Sequence, residues 1–483
     1  MMNPGFNASP LEYLSKTQVN QLHEASLSIL QDVGCMIRHE KTLEMLKSKG
    51  CKTTSNGLVY IPAELVEWAI EQAPGKITIF DRIRNPALNL QGTNVYFGTG
   101  PDCKFVLDTE SGDLLDFNLE RMIQAVQLAD SLPNIDFLMS MALTGELKSG
   151  TANLVKFGTM LQYSSKPIVT VLGANIKELE GMVEAAALVA GDRGTLIKEP
   201  NFLLLVDPTS PLVHSAEAIE KLAYMATNRL PVIYAPGIMA GASSPITVAG
   251  AIAQANAEIL AGLVIHQLYT PGAPFVFGGG MSPLDMKSGQ PTYSAPEAMT
   301  AQAGLCQLGR SLYKLPTWGF GGCSASKLCD EQAVMEASNY LMMSSWMGTN
   351  LVHDVGYLEF GLTYSLELLT ICDEIIGQIR HLMAGIAVND DQLALDVIKQ
   401  VGPSGNFLSE AHTAKHFKNN WQPDLVDRKS RKAWSKRGSS SLLERCRAKI
   451  HSIIQHPPSC KLDNEMNRHL TAICGLTGLF KKM

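Results

Sequence analysis

The residues best suited to chemistry lie together at 350–364, NLVHDVGYLEFGLTY. An apolar pair, Leu351 and Val352, runs into an ionisable pair, His353 and Asp354, and then into Gly356. Tyr357, Phe360 and Tyr364 follow at i, i+3 and i+7, the spacing that places side chains on one helical face. Asp207 ends another apolar run in the same way. Aromatic rings are also frequent where apolar runs end, at Tyr96, Phe97, Phe277, Trp318 and Phe320. Each ring alone reads as core. Gathered at one mouth they predict an aromatic cage, the arrangement that holds a quaternary ammonium group. A histidine beside such a cage would grip a carboxylate at the other end of a small zwitterion, which gives His353 that role.

Such a mouth needs strands to carry it. From about residue 94, short apolar runs recur: NVYFGTG (94–100), IDFLMSM (135–141), PIVTVLG (167–173), FLLLVDP (202–208), PVIYAPG (231–237), PFVFGGG (274–280), PTWGFGG (316–322) and NLVHDVG (350–356). Segments long enough for helices separate them, at 118–131, 177–190, 214–228, 246–269, 296–313, 330–347 and 359–385. Continuous apolar runs are what doubly buried strands look like, and parallel strands need crossovers of this length. Eight such units predict an α/β fold, a (β/α)8 TIM-type barrel over 91–388, with its site at the carboxyl ends of the strands. DTESGDLLDF (108–117) reads as an inserted hairpin. Glycines close three of the runs, at Gly98 and Gly100, Gly279 and Gly280, and Gly321 and Gly322. They predict an open upper face with room for a flat ligand.

A helical cap is expected over 1–90. Ser15 or Thr17 caps its first helix, and further helices end at Gly50 and at Pro74-Gly75. A helical extension is expected over 389–483, with aromatic anchors at Phe417, Trp421 and Trp434 and a basic strip, RKSRKAWSKR, over 428–437. That strip reads as a solvated or partner-docking face, because the net charge of −6 argues against a general nucleic-acid surface. The ten cysteines are scattered without a CxxC pair and read as reduced thiols. No leader pattern opens the chain, and no run is expected to span a bilayer, so the expected location is cytoplasmic.

Several motifs lead elsewhere and fall short. His412 and His416 share a helical face, but Thr-Ala-Lys between them lacks the glutamate of a zinc protease, and Glu410 nearby suits capping or docking. Gly278–Gly280 has neither the order nor the acidic partner of a dinucleotide site. Lys327 would be a Schiff-base nucleophile only in a desolvated strand setting, and it lies in a loop flanked by Cys323 and Cys329, whose spacing is not that of a zinc site. No bound metal is expected.

Four segments together carry a family resemblance: SGDLLDFNLE (111–120), VDPTSPL (206–212), GGCSASKLCDEQA (321–333) and HTAKHFKNNWQPDLVDR (412–428). The chain resembles the trimethylamine methyltransferase superfamily over nearly its whole length. That resemblance implies a barrel enzyme passing a methyl group to the Co(I) of a corrinoid protein. Every residue is a standard amino acid, so the sequence is similar to the branch without pyrrolysine. The implied substrates are quaternary amines, glycine betaine first, then proline betaine, carnitine or γ-butyrobetaine. No acid or base is required, since a quaternary nitrogen leaves as a neutral amine. The resemblance together with strand-end position makes His353, Tyr96, Phe97, Asp207, Phe320, Tyr357 and Phe360 the expected substrate contacts, with Asp354 orienting loops or the ammonium end. Gly98, Gly100, Gly279, Gly280, Gly321 and Gly322 would admit the cofactor. No DxHxxG motif or flavodoxin-like domain is present, so cobalamin is expected on a separate corrinoid partner. A homo-oligomer is expected. The rival expectations are a Schiff-base lyase using Lys327 and a barrel that binds a betaine without turning it over.

Overall fold

The computed structural model describes residues 10–148, 150–457 and 462–476. Its centre is a parallel sheet of seven strands: β1 (Tyr96–Phe97), β2 (Ile168–Val171), β3 (Phe202–Val206), β4 (Val232–Tyr234), β5 (Phe275–Gly278), β6 (Thr317–Phe320) and β7 (Leu351–His353). The spatial order is β1-β7-β6-β5-β4-β3-β2. Each strand falls inside one of the apolar runs, and β3 is buried at every position, as a strand covered on both faces must be. The remaining run, 135–141, makes single parallel bridges to both edges, Gly98 to Phe137 and Leu138 to Ile168.

Helices fill the crossovers at Leu119–Ser131, Ile176–Ala190, Ala216–Thr227, Val248–Tyr269, Pro296–Gln307, Glu331–Met347 and Leu366–Met383. One more, Ala152–Tyr163, lies in a stretch to which the sequence assigned no helix. The inserted hairpin forms as expected from Phe105–Leu107 and Leu114–Asp116. Val248–Tyr269 is long and apolar enough to cross a bilayer by length and composition, contrary to expectation. Every residue from 251 to 267 is buried within the protein, including Gln254, Asn256, Glu258, His266 and Gln267.

The first ninety residues are more than a helical cap. Ser15 caps Lys16–Ser28 in a capping box with Gln18, and helices Glu40–Ser48 and Ala63–Gln72 follow. Strands also form: Cys35–Ile37 pairs with Leu58–Tyr60 and, in parallel, with Val213–His214. A second hairpin, Ile77–Phe80 with Pro86–Leu90, positions the site from the opposite end. Its Ile77, Ile79, Leu88 and Leu90 pack against Tyr96, Val169, Leu203, Ile233, Val276 and Leu351 inside the sheet. Phe80 N–H donates to Pro200 O and Arg82 N–H to Ser165 O, each at 2.8 Å, just ahead of β3 and β2. The amino ends of the strands are thereby covered, and the carboxyl ends remain the approach.

The helix expected to begin at Glu359 begins at Leu366, capped by Ser365. Tyr357–Leu358 and Thr363–Tyr364 instead pair antiparallel across a short turn. Glu359, Phe360 and Gly361 all have positive φ (49°, 57° and 85°), which no helix accommodates. Tyr357 and Tyr364 therefore meet edge to face, with centroids 5.9 Å apart, as a cross-strand pair and not as a helical stripe. Farther on, Leu442–Gln455 packs on Leu366–Met383 and Leu119–Ser131, and Asn464–Ile473 on Ile176–Ala190. The basic strip stays mostly exposed, with Arg428 over the Trp421 ring and Arg431 over Trp434. One contiguous core runs from Val19 to Leu476.

Candidate active site

Alternation along β6 turns Trp318 and Phe320 to the inside of the sheet, and β7 does the same with Leu351 and His353. At their carboxyl ends lies a cavity of about 230 Å³. His353 stacks on Trp318 with centroids 4.1 Å apart, and Phe320 lies 4.5 Å away on tilted planes. Its Nδ1 is 2.8 Å from Gly319 O, and because a carbonyl only accepts, Nδ1 carries the proton. Burial pushes the imidazole down to about 3, so Nε2 is a bare lone pair. A neutral ring held this way has no N–H left for a carboxylate.

Nε2 faces Asp354 Oδ1 at 3.4 Å, and the two side chains are only 5% and 4% exposed. Burial holds the Asp354 carboxyl well above the usual range, so it waits protonated. Its Oδ1 has no hydrogen-bond partner among the described residues. Asp354 has a φ of 71°, and Asp102, Met141 and Phe360 are also left-handed at this end of the sheet. Strained non-glycine residues of this kind gather at functional sites. Tyr357 Oη donates to Pro101 O, which ties the β7 loop to the β1 loop. Tyr293 lines the cavity from the segment after β5, and Phe360 and Gly361 from the turn after β7. Asp207 lies deep in the concave mouth, where crowding raises its carboxyl to about 6, although water reaching its exposed surface screens that effect. The cavity thus has two carboxyls, one neutral imidazole and five aromatic rings, and no lysine or arginine among the described residues lines it.

Five of the seven expected substrate contacts come together here: Asp207, Phe320, His353, Tyr357 and Phe360. Tyr96 and Phe97 do not. Tyr96 is packed in the interior cluster, its Oη accepting from Asn89 N–H at 3.0 Å. Phe97 is fully buried in the main core, under the Arg380 guanidinium. Of the glycines, Gly280 lines the cavity. Gly100 abuts it, since a Cβ there would stand 2.2 Å from Asp354 Oδ1. Gly98, Gly279, Gly321 and Gly322 make room instead for Phe137, Pro236, Val352 and Val355. Tyr293 and Pro236 were not foreseen: Tyr293 sits on a loop that no periodic pattern marks, and Pro236 lies near the end of a recognised run but carries no polar or aromatic signal.

The remaining candidates lie elsewhere. Lys327 is exposed at the rim, its Nζ 4.9 Å from the Phe360 ring centroid and bonded to Ala325 O. It lacks the desolvated setting that amine nucleophiles need. Cys323 is buried, and burial pushes the Cys329 thiol up to about 12. His412 and His416 come together with Asp391, one ligand atom from each within 4.8 Å of the others. Lys415 Nζ already sits 2.8 Å from both Asp391 oxygens. Glu410 precedes that helix without capping it, and accepts from Gln400.

The family described as trimethylamine methyltransferase (MTTB) matches residues 3–474. The glycine betaine methyltransferase of Desulfitobacterium hafniense (strain Y51) is 30% identical over 471 residues, covering 96% of this chain and 97% of that one. The trimethylamine methyltransferase MttB of Methanosarcina barkeri is 28% identical over 487 residues, covering 97% and 96%. Among solved structures, the Methanosarcina barkeri monomethylamine methyltransferase (MtmB) superposes with a TM-score of 0.51 at 11% identity, covering 94% of this chain and 95% of that one. At that identity the likeness speaks for the fold alone.

Proposed function

The chain belongs to the trimethylamine methyltransferase family, and from that premise we propose that it moves a methyl group from a quaternary amine to the Co(I) of a corrinoid protein. The relatives support methyl transfer from a methylated amine. The observation that carries the finer reading is the composition of the cavity. Trp318, Phe320, Tyr357, Phe360 and Tyr293 surround two carboxyls with no resident cation, a setting that attracts a permanent cation through ring quadrupoles and charge. Glycine betaine is the first substrate to test, with longer betaines next.

The corrinoid supplies the nucleophile that accepts the methyl group. The chain's own part is positioning. The rings hold the ammonium with one methyl turned to the mouth, and the plugged amino end leaves that mouth as the single direction of approach. Asp354 provides the counter-charge by giving up its proton when the cation enters. His353, fixed by Gly319 and by the rings on its two faces, keeps Asp354 in place and makes no contact with a carboxylate. No acid is needed, because the departing nitrogen is neutral. Gly237, Gly280 and Gly361 keep the rim low enough for a flat macrocycle.

The architecture is read accordingly as a (β/α)8 barrel over 91–388, with 135–141 as the eighth strand, between a cap over 1–90 and an extension over 389–483. The bridges of Phe137 and Leu138 to both sheet edges support this closure. Ile386 and Val388 at the end of the barrel and Leu395, Ile398, Leu408 and Phe417 on the extension are exposed, and this apolar stretch supports contact with a second copy. The nine described cysteines are free thiols, which suits a reducing cytoplasm.

The test is spectroscopic. Cobalamin is reduced to Co(I) anaerobically, alone or on a purified corrinoid protein, and glycine betaine, proline betaine, carnitine, γ-butyrobetaine or trimethylamine is added with the enzyme. Loss of the Co(I) band with growth of methylcobalamin for a quaternary amine is the expected result. Turnover of trimethylamine alone overturns the quaternary reading. Tight betaine binding without any methyl transfer leaves a binding barrel.

A further inference from the structure

Beside the aromatic cavity lies a larger one of about 610 Å³, and the two share Pro101, Leu205 and Asp207. One basic residue lines it, Lys156, from helix Ala152–Tyr163. Lysine is rarely buried without full compensation, yet Lys156 is only 3% exposed. Its Nζ donates to Asp102 Oδ1 at 2.6 Å and to Ala142 O at 3.3 Å. An ammonium has three donors, and no acceptor for the third stands among the described residues. The Thr144 hydroxyl lines the same cavity, is buried, and also has no partner among them. One donor position on the Lys156 ammonium and the Thr144 hydroxyl therefore face this cavity without a hydrogen-bond partner among the described residues. Buried polar groups of this kind mark a ligand's place.

Asp102, the resident counter-ion, is loosely committed. Its side chain is 38% exposed and its backbone is held at a φ of 60°. It can turn to water when another carboxylate takes its place on Nζ, and that exchange leaves the local charge unchanged. The other acids facing this space are Glu178, whose Oε1 accepts from Asn153 N–H, and Asp207 at the shared wall.

Resting on the quaternary-amine reading, we propose that Lys156 and Thr144 bind the carboxylate of a zwitterion whose ammonium lies in the aromatic cavity. The site would then prefer betaines in which several methylenes separate the two charges. A carboxylate one methylene from the nitrogen is held against Asp207 and Asp354, whereas a longer tail passes Asp207 and reaches Lys156.

The experiment is calorimetric titration of the full-length enzyme, without corrinoid protein, against glycine betaine, 3-(trimethylammonio)propanoate, γ-butyrobetaine and a carboxylate-free alkyltrimethylammonium salt. Affinity is expected to rise along the betaine series, γ-butyrobetaine binding at least about tenfold tighter than glycine betaine, as one charge-assisted contact allows. Lys156→Met should erase that ratio while leaving the carboxylate-free salt unchanged. Lys156→Arg should retain it, and Thr144→Val should reduce it in a protein whose core charge is intact. Lys327→Met, the other lysine near the mouth, should do nothing. A ratio that survives in Lys156→Met, disappears in Lys327→Met, or appears only with the corrinoid protein present overturns the inference. Binding of the carboxylate-free salt without any rise along the series overturns it alone. Failure of every ammonium compound to bind overturns the quaternary-amine reading as well.

Discussion

Replacing Asp354 by asparagine separates what the carboxyl costs the empty protein from what it does for a bound cation. In the empty cavity the group is protonated, held so by burial, and faces a histidine that is itself neutral. An ammonium in van der Waals contact with the Asp354 carboxyl, which lines the cavity, places the two charges roughly 4 Å apart. A unit charge pair at that distance is worth about 4 kcal/mol at an effective dielectric of 20. Releasing the proton from Asp354 offsets part of this, so Asp354→Asn is expected to weaken cation binding by ~1–3 kcal/mol, or about 5- to 150-fold in Kd. Folding should respond in the opposite sense. A carboxyl whose folded pKa is raised leaves full stability below its unfolded value of 3.8, and stability is lost as pH rises towards the folded value. The unfolded chain gains by ionising there, and asparagine removes that gain. The variant should therefore melt higher than wild type near pH 7, with the gap closing as pH falls to 3.8. Differential scanning calorimetry across pH, with titration of a trimethylammonium salt in buffers of differing ionisation enthalpy, reads both effects. Wild type should release a proton on binding and the variant should not. Unchanged affinity together with a lower Tm at pH 7 would refute a neutral Asp354 that ionises on cation binding.

Phe320→Ala removes the ring tilted against His353 and Tyr293, and should raise KM by about 2- to 30-fold, the value of one cation–π contact, with a smaller change in kcat. In Gly280→Ala the new Cβ would stand 1.9 Å from Phe320 Cε2, so the ring must move. Steady-state assays should show KM rising, and denaturant melts should show a loss of ~1–3 kcal/mol. Leu88→Ala, in the hairpin covering the far end, should cost ~2–5 kcal/mol of stability and leave kcat/KM of the folded enzyme unchanged, since it lies away from the mouth. Binding of a permanent cation should weaken as pH falls from about 6 into the ordinary carboxylate range, where a partly screened Asp207 takes up a proton, and Asp207→Asn should flatten that profile.

The strands were legible because doubly buried parallel strands leave continuous apolar text, and each of the seven lies inside a run recognised in the sequence. The last of those runs to find its place, IDFLMSM, makes bridges only, a difference of hydrogen bonding that composition does not record. Helix Ala152–Tyr163, between that run and PIVTVLG, was missed because the polar TGELKSGTA ahead of it reads as loop. Position after a strand singled out Asp207, Phe320, His353, Tyr357 and Phe360, which line one cavity. It failed for Tyr96, because depth inside the sheet is set by tertiary layering and not by spacing. It failed for Phe97 because alternation turns that residue to the helix side. The aromatic spacing at 357–364 suggested a helix, and three consecutive left-handed residues made a hairpin instead. Tyr293, Thr144 and Lys156 had no signal at all. They reach the mouth from a loop or a helix, and only closure of the fold shows their neighbours.

A pocket that must receive a permanent cation can keep its acids ready in two ways. It can pair them with a resident lysine or arginine, which the substrate must then displace, or it can keep them protonated in a dry site. The aromatic cavity follows the second course at Asp354, since no basic side chain among the described residues lines it and the imidazole alongside is held neutral by burial. This choice also bears on release. Once a methyl group has left, the nitrogen carries no charge, and the attraction that kept Asp354 ionised is gone. The carboxyl then regains its proton in an environment that favours the neutral form, and the tertiary amine is held by ring contact alone. Measured above the amine's own pKa, where free product is uncharged, product should therefore bind more weakly than substrate by about the same 1–3 kcal/mol that Asp354→Asn removes from substrate binding. In that variant the two affinities should converge, and a product that still binds as tightly as substrate in wild type would separate release from the charge of Asp354.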